Sequence, residues 1–427
     1  MSNKEPARPT RGEPRSTNVA TSDVGDRRRE INTPFDSAEL DKLMEAAGID
    51  VLLATSAHNV RYLLGSPPFF FFANGTAFGK SRYLPIVVYL RGRPDDAHYV
   101  GFLTEDAYRE HALWTPSVSD VSRGTRDAME QATEYITRAA ADSNKIGIEA
   151  PFLPADAFDV LRRRLPQTTT VDATALLERL RARKTPRELS LLREASERVL
   201  EAMLVVFAAS SAGMTKNELV EMLRREEVRR GLEFRYCFIA AGTSLSRSPS
   251  DQTVQDGDVL SLDSGGSYHG YMGDIARMGV IGEPDTELDE LLAEVETIQV
   301  QARQAVRPGG LISELWEAVE ADVGRSKNAP NIIFEAHGMG LIGHEAPVLD
   351  TSVTVPNSAA EEPLEPGMML SIETAIRHPQ RGFIKLEDAV AVTETGFEVF
   401  GLNGRGWNSS RDGAAPGTYS VEGISLA

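Results

Sequence analysis

Two aspartates near the middle of the chain have a spacing that would let them bind a cation together. Asp263 ends the apolar run Val259–Leu262, and Asp274 lies in a second extended run. Gly265 and Gly266 stand between the two runs and predict the turn of a hairpin. Two carboxylates held side by side repel each other unless they share a proton or bind a cation, and hard divalent ions prefer such oxygen ligands. A surface turn with two solvated aspartates is the alternative.

Three more metal-ligating residues follow in the C-terminal half. His337 stands in EAHGMGLIGHEAP, Glu373 in PGMMLSIETA and Glu387 in GFIKLEDAVAVTETG. Both glutamates lie in or beside apolar segments that predict strands, Met368–Ile372 and Phe383–Val392. Carboxylates in buried strands are rare unless they are paired or bind a metal. Four carboxylates and one histidine therefore predict a hard, mainly oxygen site for two metal ions.

In this order, these residues resemble the pita-bread metallopeptidases, the family of methionine aminopeptidase, aminopeptidase P, prolidase and creatinase. The resemblance covers about residues 172–401, with ten residues between the aspartates and HGMGLIGHEAP, PGMMLSIE and KLEDAVAVTETG at the family's positions. The metal ligands that it implies are Asp263, Asp274, His337, Glu373 and Glu387. Within that set, Asp263 would chelate one ion, Asp274 and Glu387 would bridge, and His337 and Glu373 would complete the other.

The resemblance also implies the reaction, which is hydrolysis of a C–N amide bond. Two divalent ions, with manganese expected first and cobalt, zinc or iron also suited, would activate a shared water. Glu373 would take the proton from the attacking water and return it to the leaving nitrogen. His344, seven residues after His337, stands where the family keeps a second histidine, so it is the candidate for oxyanion stabilisation. A partly buried structural histidine is the alternative for His344.

Three residues near this implied site depart from the family pattern or lack a settled role. Peptide-cleaving relatives usually carry a histidine a few residues after Gly242, whereas this chain has Arg247 to Ser250 there, in a loop that looks shorter than in aminopeptidase P. Arg247 suits a substrate carboxylate, although a plain surface loop is equally consistent. Lys385 stands where prolidase-like members tend to have arginine, and it keeps the charge without the bidentate fork. His269, in the predicted turn, would replace the missing histidine only if it did not face solvent.

The length of 427 residues predicts two domains. Residues 1–34 have almost nothing to bury and predict a disordered tail. Residues 35–171 have an α/β pattern that resembles the N-terminal domain of creatinase, prolidase and aminopeptidase P, with HNVRYLLG at a recurring position. Residues 172–402 would form the pita-bread catalytic domain with its entry helix, and residues 403–427 a C-terminal tail. The expected fold class is thus α/β (α+β), a creatinase-like domain followed by a pita-bread domain.

Local patterns predict several elements that surround the site. A helix capped by Ser37 should run through Leu40 and Met44, and a buried strand should span Val51–Ala54. The segment 172–203 should be helical and broken at Thr185-Pro186, with Pro186 in the first turn of the second helix. Further expected strands are Leu84–Leu90, His98–Leu103 and Lys145–Ile148, and further expected helices are Thr125–Ala141, Ala155–Leu165 and Lys216–Arg230. Side chains with no assigned role, expected to be solvated, are Arg181, Arg183 and Lys184.

The run Phe69–Phe72 is unusual, because four consecutive aromatic side chains cannot all face one core. One hypothesis is that two are core residues and two cover a neighbouring element. The other is that the run lines a pocket in a partner subunit, since the resemblance implies a homodimer with the N-terminal domain near the other active site.

Composition excludes some partners. A net charge of −18 argues against nucleic acid and against an anionic membrane surface. Cys237 is the only cysteine, which excludes an internal disulfide and suits a reducing compartment. The chain has no apolar run of about 20 residues and no apolar secretory segment near its start, so we expect no membrane partner and a cytoplasmic location.

Three functions fit these features. The first is an Xaa-Pro aminopeptidase or dipeptidase acting on peptides. The second is a small-molecule enzyme on the same scaffold, similar to creatinase, ectoine hydrolase or the dimethylsulfoniopropionate lyases, which the departures at Arg247 and Lys385 favour. The third is a binding protein without catalysis, which the presence of all five ligands disfavours and which a metal count would test.

Overall fold

The structure, a computed structural model, describes residues 32–65, 83–102, 113–351 and 362–409. The Phe69–Phe72 run and nearly all of the predicted N-terminal tail lie outside the described residues. None of the described helices combines the length and the apolar character needed to cross a membrane.

The N-terminal domain is built on a mixed six-stranded sheet in the order β4-β3-β2-β1-β5-β6. Its strands are β1 (Val51–Ala54), β2 (Ile86–Leu90), β3 (His98–Phe102), β4 (Ser117–Ser122), β5 (Lys145–Ile148) and β6 (Thr169–Asp172). Its helices are α1 (Ser37–Ala47), α2 (Ala57–Leu64), α3 (Thr125–Ala139), α4 (Ala155–Arg164) and α5 (Thr174–Ala182). The predicted strands and helices of this domain are confirmed to within a few residues at their ends.

Burial on both faces explains the continuous apolar run of β1. Leu52 and Ala54 pack into the cluster formed with α1, α2 and α5. Val51 and Leu53 point the other way, into the cluster formed with α3 and α4. A strand covered on both sides has no polar face, so its sequence does not alternate. One detail of the prediction is wrong: Asp36, not Ser37, caps α1, because its carboxylate accepts the Glu39 N–H at 2.9 Å.

Two helices lead from the N-terminal sheet into the catalytic domain. Helix α5 ends at Ala182, and α6 (Pro186–Ala209) begins after Thr185, whose hydroxyl and backbone N–H form a capping box with Glu188. Such a cap stabilises a helix start by about 1 kcal/mol. The predicted break at Thr185-Pro186 is therefore confirmed.

The C-terminal domain is built on an antiparallel sheet in the order β11-β10-β12-β13-β9-β8-β7, with β14 paired to β13. Its strands are β7 (Glu233–Ala241), β8 (Val259–Tyr268), β9 (Tyr271–Val280), β10 (Ile332–Gly338), β11 (Glu345–Asp350), β12 (Met369–His378), β13 (Gly382–Val392) and β14 (Phe397–Phe400). Its helices are α6, α7 (Lys216–Arg229), α8 (Thr286–Ala305), α9 (Ser313–Glu317) and α10 (Glu320–Arg325).

Helices cover one face of this sheet. Helix α6 packs on Leu262 and Ile275, and α8 packs near Ile372 and Leu386. Because side chains alternate along a strand, the residues next to these apolar positions point to the opposite face. The predicted metal ligands occupy those neighbouring positions, so the domain presents them on the face that the two helices leave free.

The hairpin β8–β9 differs from the prediction in the place of its turn. Gly265 and Gly266 lie inside β8, and the turn is at His269-Gly270. The glycines serve close packing instead: a Cβ added at Gly265 would lie 2.5 Å from the Tyr236 ring, and one at Gly266 would lie 2.8 Å from Glu227 Oε2. Missing side chains thus mark close contacts here, not a change of direction.

Candidate metal centre

Strand register places most of the predicted ligands in one row across the sheet. Asp263 pairs with Ala276, Ala276 with Glu387, and Glu387 with Glu373. Glu335 continues the row as the partner of Glu373. Directly paired residues of neighbouring strands point to the same face. Alanine in the middle of the row leaves space between the carboxylates on either side.

Asp274 lies diagonally across the hairpin from Asp263. Its partner on β8 is Gly265, two residues from Asp263 and therefore on the same face. The Tyr236 hydroxyl fills the space above Gly265 and donates a hydrogen bond to Asp274 Oδ2. The donor atoms of Asp263, Asp274 and Glu387 all lie within 4.8 Å of one another.

A second group of donor atoms contains the histidines. Those of His337, His344 and Glu373 also lie within 4.8 Å of one another. His337 Nε2 lies 2.8 Å from Glu373 Oε1, and its Nδ1 lies 3.1 Å from the carbonyl oxygen of Gly338. A carbonyl oxygen accepts, so Nδ1 carries a proton, and in the neutral ring Nε2 keeps the lone pair that a metal needs. The ring of His344 stacks on that of His337, with centroids 3.7 Å apart.

Lys385 lies among the ligands. It is buried, and its Nζ is 2.6 Å from Asp263 Oδ2, 2.5 Å from Glu373 Oε2 and 2.9 Å from Glu387 Oε2. Register explains the position, because Lys385 precedes Glu387 by two residues and shares its face. The sequence predicted Lys385 as a substrate contact, and the structure shows that it also contacts three of the predicted metal ligands directly.

Arg247 reaches the same carboxylates from the loop after β7. Its guanidinium pairs with Asp263 and lies over the rings of Phe238 and Phe383, 4.6 and 4.9 Å from their centroids. The loop is thus not a plain surface loop at this residue, because the arginine side chain points into the centre.

Burial and neighbouring charges shift the pKa values of three of these carboxylates, Asp274, Glu387 and Glu373. Burial, and then the nearby Glu387 and Asp263, hold the pKa of Asp274 well above its ordinary value. Burial and Glu373 raise the pKa of Glu387 to about 7. Burial acts the same way on Glu373, but Lys385 and His337 outweigh it and hold the pKa of that carboxyl below its ordinary value.

The residues present fit a pair of divalent ions. Two adjacent donor groups share one face of the sheet, and their atoms are oxygens and imidazole nitrogens, which suit such ions. Glu387 Oε2 is buried and receives no hydrogen bond of acceptable geometry from the described residues, although Lys385 is near. Among the contacts of the described residues, Lys385 and Arg247 place two positive charges against three of the four carboxylates. Cations would relieve the remaining repulsion.

A cavity of about 190 Å³ opens beside the ligands. Its apolar wall is formed by Leu245, Ile333, Ala375 and Phe383. Its polar wall is formed by Arg247, Glu335, Glu373, Arg377 and Lys385. A small molecule with an apolar part and charged ends would match this lining.

One predicted substrate contact is wrong. His269 lies in the turn of the β8–β9 hairpin, six residues from Asp263, which is roughly 20 Å along an extended strand. Its backbone carbonyl accepts a hydrogen bond from Arg61 at 2.9 Å, and its φ of 47° is that of a turn residue. The turn lies at the far end of the hairpin, so His269 does not replace the missing histidine.

Sequence reasoning did not single out several polar side chains that contact the predicted ligands or line the cavity. Ser371 donates to Glu387 Oε1 at 2.8 Å, Tyr236 donates to Asp274, and Glu335 lines the cavity. Alternation would have found two of them, since Ser371 stands two residues before Glu373 and Glu335 two residues before His337. No pattern in the sequence indicates Tyr236, because its contact depends on the pairing of β7 with β8.

Family models match most of the chain. Residues 190–394 match metallopeptidase family M24, and residues 37–183 match the creatinase/prolidase N-terminal domain. The first match contains the ligand row, and the second contains the six-stranded sheet.

Individual relatives agree with these matches. An uncharacterized peptidase of Bacillus subtilis, YqhT, is 25% identical over 84% of this chain and 95% of its own length. An Xaa-Pro dipeptidase of Lactobacillus helveticus is 26% identical over 65% of this chain and 75% of its own length. The crystal structure of an X-Pro aminopeptidase from Thermotoga maritima superposes with a TM-score of 0.69 at 21% identity, covering 87% of this chain and 99% of that one. At that identity, the superposition shows a shared fold.

Proposed function

Because this chain belongs to metallopeptidase family M24 and carries a creatinase/prolidase N-terminal domain, we propose that it hydrolyses the amide bond before proline in short peptides. The observation that carries the proposal is the ligand row, in which two donor groups lie side by side next to a cavity. Named relatives that include an Xaa-Pro dipeptidase support the choice of bond.

The proposed ligands are the five residues expected from the sequence. Asp263, Asp274 and Glu387 would hold the ions from one donor group, and His337 and Glu373 would hold them from the other. Manganese is the proposed metal, and oxygen-rich ligation of this kind also accepts cobalt, zinc or iron. When bound, such ions would supply Lewis acidity and lower the pKa of a bound water molecule.

The chain's own residues would handle the protons and the developing charge. Glu373 lies at the edge of the cavity and would accept the proton of the attacking water and pass it to the leaving nitrogen. His344 is exposed, stacks on His337 and would donate a hydrogen bond to the oxyanion. Removing one oxyanion donor typically lowers kcat about 100-fold or more.

The cavity favours a dipeptide over a longer peptide. Its volume of about 190 Å³ lies below the usual range of ligand pockets, roughly 300 to 1,000 Å³. Phe383, Leu245 and Ile333 would pack on the proline ring. Arg377 lies in the polar wall, where a free C-terminal carboxylate would find a positive charge.

The proposal is tested by comparing three substrates with manganese-loaded protein: an Xaa-Pro dipeptide, the same dipeptide with an amidated C-terminus, and an Xaa-Pro tripeptide. We expect the dipeptide to be cleaved best. In the Arg377→Met variant, KM for the dipeptide should rise about tenfold, while Arg377→Lys should retain most of the affinity and cleavage of the amidated peptide should not change. Equal cleavage of the dipeptide and the tripeptide, with no effect of Arg377→Met, would assign the enzyme to the aminopeptidases instead.

A second candidate function is hydrolysis of a small amide that is not a peptide. The small cavity and the contact of Lys385 with three ligands favour it, because both would alter the space next to the ions. Metal-loaded protein that leaves all three peptides intact but hydrolyses a small amide would select this function.

We also propose a homodimer in solution, which light scattering would test.

A further inference from the structure

Glu345, the residue after His344, is anchored in a buried cluster of charges. Its side chain has no exposed surface, and its carboxylate lies 2.7 Å from Lys184 Nζ and 2.9 Å from the guanidinium of Arg181. Both cationic side chains are themselves buried. The expectation that Arg181 and Lys184 are solvated is therefore wrong, since they neutralise a buried carboxylate that a sequence pattern does not connect with them.

The cluster continues into the N-terminal domain. Arg181, in α5, donates a hydrogen bond to Asn59 Oδ1 in α2. The amide nitrogen of Asn59 donates to Glu149 Oε1 at 2.5 Å, and the second oxygen of Glu149 accepts the Ser56 N–H at 2.9 Å. A continuous chain of buried polar contacts thus joins the N-terminal sheet to the residue next to His344.

The loop that carries His344 is also held by backbone hydrogen bonds, among them that of the Met339 N–H to the Met369 carbonyl oxygen at 3.1 Å. Its backbone is held where the Met272 N–H donates to the Gly340 carbonyl at 2.8 Å and where Gly338 pairs with Glu345. The loop packs directly on the carboxylate, because a Cβ added at Gly340 would lie 2.7 Å from Glu345 Oε1. His344 itself is held against the His337 ring by stacking.

We propose that Glu345 is a positioning residue, which holds His344 over His337 and which, through Arg181 and Asn59, makes the N-terminal domain part of the catalytic apparatus. Glu345 is the first residue of β11 and His344 directly precedes it, so a fixed Glu345 restrains the backbone that carries His344. Misplacing a reacting or stabilising group by about 1 Å can lower the rate about 100-fold. The role of His344 in hydrolysis rests on the proposed function, whereas its positioning does not.

The kinetic test uses two substitutions in the chain of contacts and a matched control. In Glu345→Gln and in Asn59→Ala, kcat for the dipeptide should fall between about 10-fold and 100-fold, with KM and bound metal close to wild type. The control is Glu365→Gln, which breaks a partly buried ion pair with Arg179 of α5, the helix that also carries Arg181. It should leave kcat within about twofold. Equal losses of kcat in the control and in the two variants would show that the cluster only holds the two domains together, and would overturn the positioning role.

A spectroscopic test needs no activity. Histidine-labelled, metal-free protein should give a ring signal for His344, assigned by its absence in His344→Gln and shifted by the stacked His337 ring. That signal should move in Glu345→Gln and Asn59→Ala and stay in place in Glu365→Gln. If Glu345→Gln does not fold, Asn59→Ala and Arg181→Lys decide. An unmoved His344 signal in the folded variants would overturn the proposal, even if the wild-type protein cleaved no Xaa-Pro peptide.

Discussion

At the scale of single residues, the centre depends on one lysine that contacts three carboxylates. Lys385 holds Asp263, Glu373 and Glu387 within 2.5 to 2.9 Å of its ammonium. A buried cation among anions stabilises the fold mainly by preventing repulsion. Removing one charged partner costs more free energy of unfolding than the whole group contributes, because it leaves buried charge uncompensated. Lys385 therefore stabilises the protein when a chelator has removed the metal. It also makes the gain in stability on metal binding smaller than it would be without the lysine.

Replacing this lysine should make the protein depend on metal. In Lys385→Met, three carboxylates lose the cation that they share, so the protein without metal should lose about 3–5 kcal/mol in free energy of unfolding. Adding manganese should then raise Tm more than it does in wild type, because the ions replace the lost charge. Differential scanning fluorimetry with and without chelator measures both effects. Lys385→Arg, which keeps the charge, is the control, and an equal rise of Tm in Lys385→Met and wild type would contradict this account.

A buried glutamate outside the centre gives stability a pH dependence. Burial raises the pKa of Glu227 to about 7, while the hydroxyl of Ser264 donates to Oε1 at 2.7 Å and Oε2 has no partner in the described structure. The folded pKa lies above the ordinary value, so ionisation is disfavoured in the folded state. The contribution of Glu227 to stability is therefore most favourable below about pH 4.5 and is lost as pH rises to about 7.

Glu227→Gln should remove this pH dependence, because an amide does not ionise. We expect the variant to gain stability relative to wild type between pH 5 and pH 8, by an amount on the order of 2–3 kcal/mol. Urea unfolding of both proteins at the two pH values measures the difference. A constant difference between the proteins at pH 5 and pH 8 would show that Glu227 does not titrate in this range.

At the scale of elements, the hairpin shows what the sequence could and could not predict. The order of the five ligands, the apolar character of β12 and β13 and the break at Thr185-Pro186 were all evident from residue types. Register was not, because a turn at Gly265-Gly266 would have paired Asp263 with Tyr268 and moved Asp274 out of reach. The packing of the Tyr236 ring above Gly265 shows why this glycine lies in a strand and not in a turn, and that contact is not visible in the sequence.

The segment after β14 is an element that the prediction treated as a tail. Arg405 pairs with Asp388 and with Glu296, the latter at 2.8 Å, and Asn408 pairs with Met278 and Val280 on β9. Asp388 is the neighbour of Glu387 on β13 and is fully buried. Residues 402–409 therefore pack behind the ligand strands, on the opposite face from the cavity.

Removing the Arg405 side chain should lower both the stability of the protein and its affinity for metal. In Arg405→Met, buried Asp388 loses one of its cationic partners, and we expect a loss of about 1–3 kcal/mol together with weaker metal binding. Arg405→Lys should lose less, because it keeps the charge without the fork. The exposed pair Arg193–Glu398 provides the control, and Glu398→Gln should stay within about 0.5 kcal/mol of wild type. Chemical unfolding and manganese titration measure the two quantities, and an Arg405→Met variant as stable as the control would contradict the role of this segment.

At the scale of the whole molecule, the two domains share a buried polar junction. Chain length predicted two domains and the local sequence pattern predicted a helical link, but Arg181 and Lys184 were expected to be ordinary surface charges. Their partner, Glu345, is more than 150 residues away in the chain. Pairing over such a separation depends on the assembled fold, which explains why residue spacing predicted the metal ligands but not the residues that position His344.

The most direct test of the central claim measures metal binding and catalysis on the same samples. Metal-free protein is titrated with manganese, and bound metal and proline release from an Xaa-Pro dipeptide are recorded at each step, with Glu373→Gln as the control. We expect two bound ions per chain, proline release that reaches its maximum as the second ion binds, and no release by Glu373→Gln. Two bound ions without cleavage of the dipeptide, the amidated dipeptide or the tripeptide, or full cleavage by protein without metal, would contradict it.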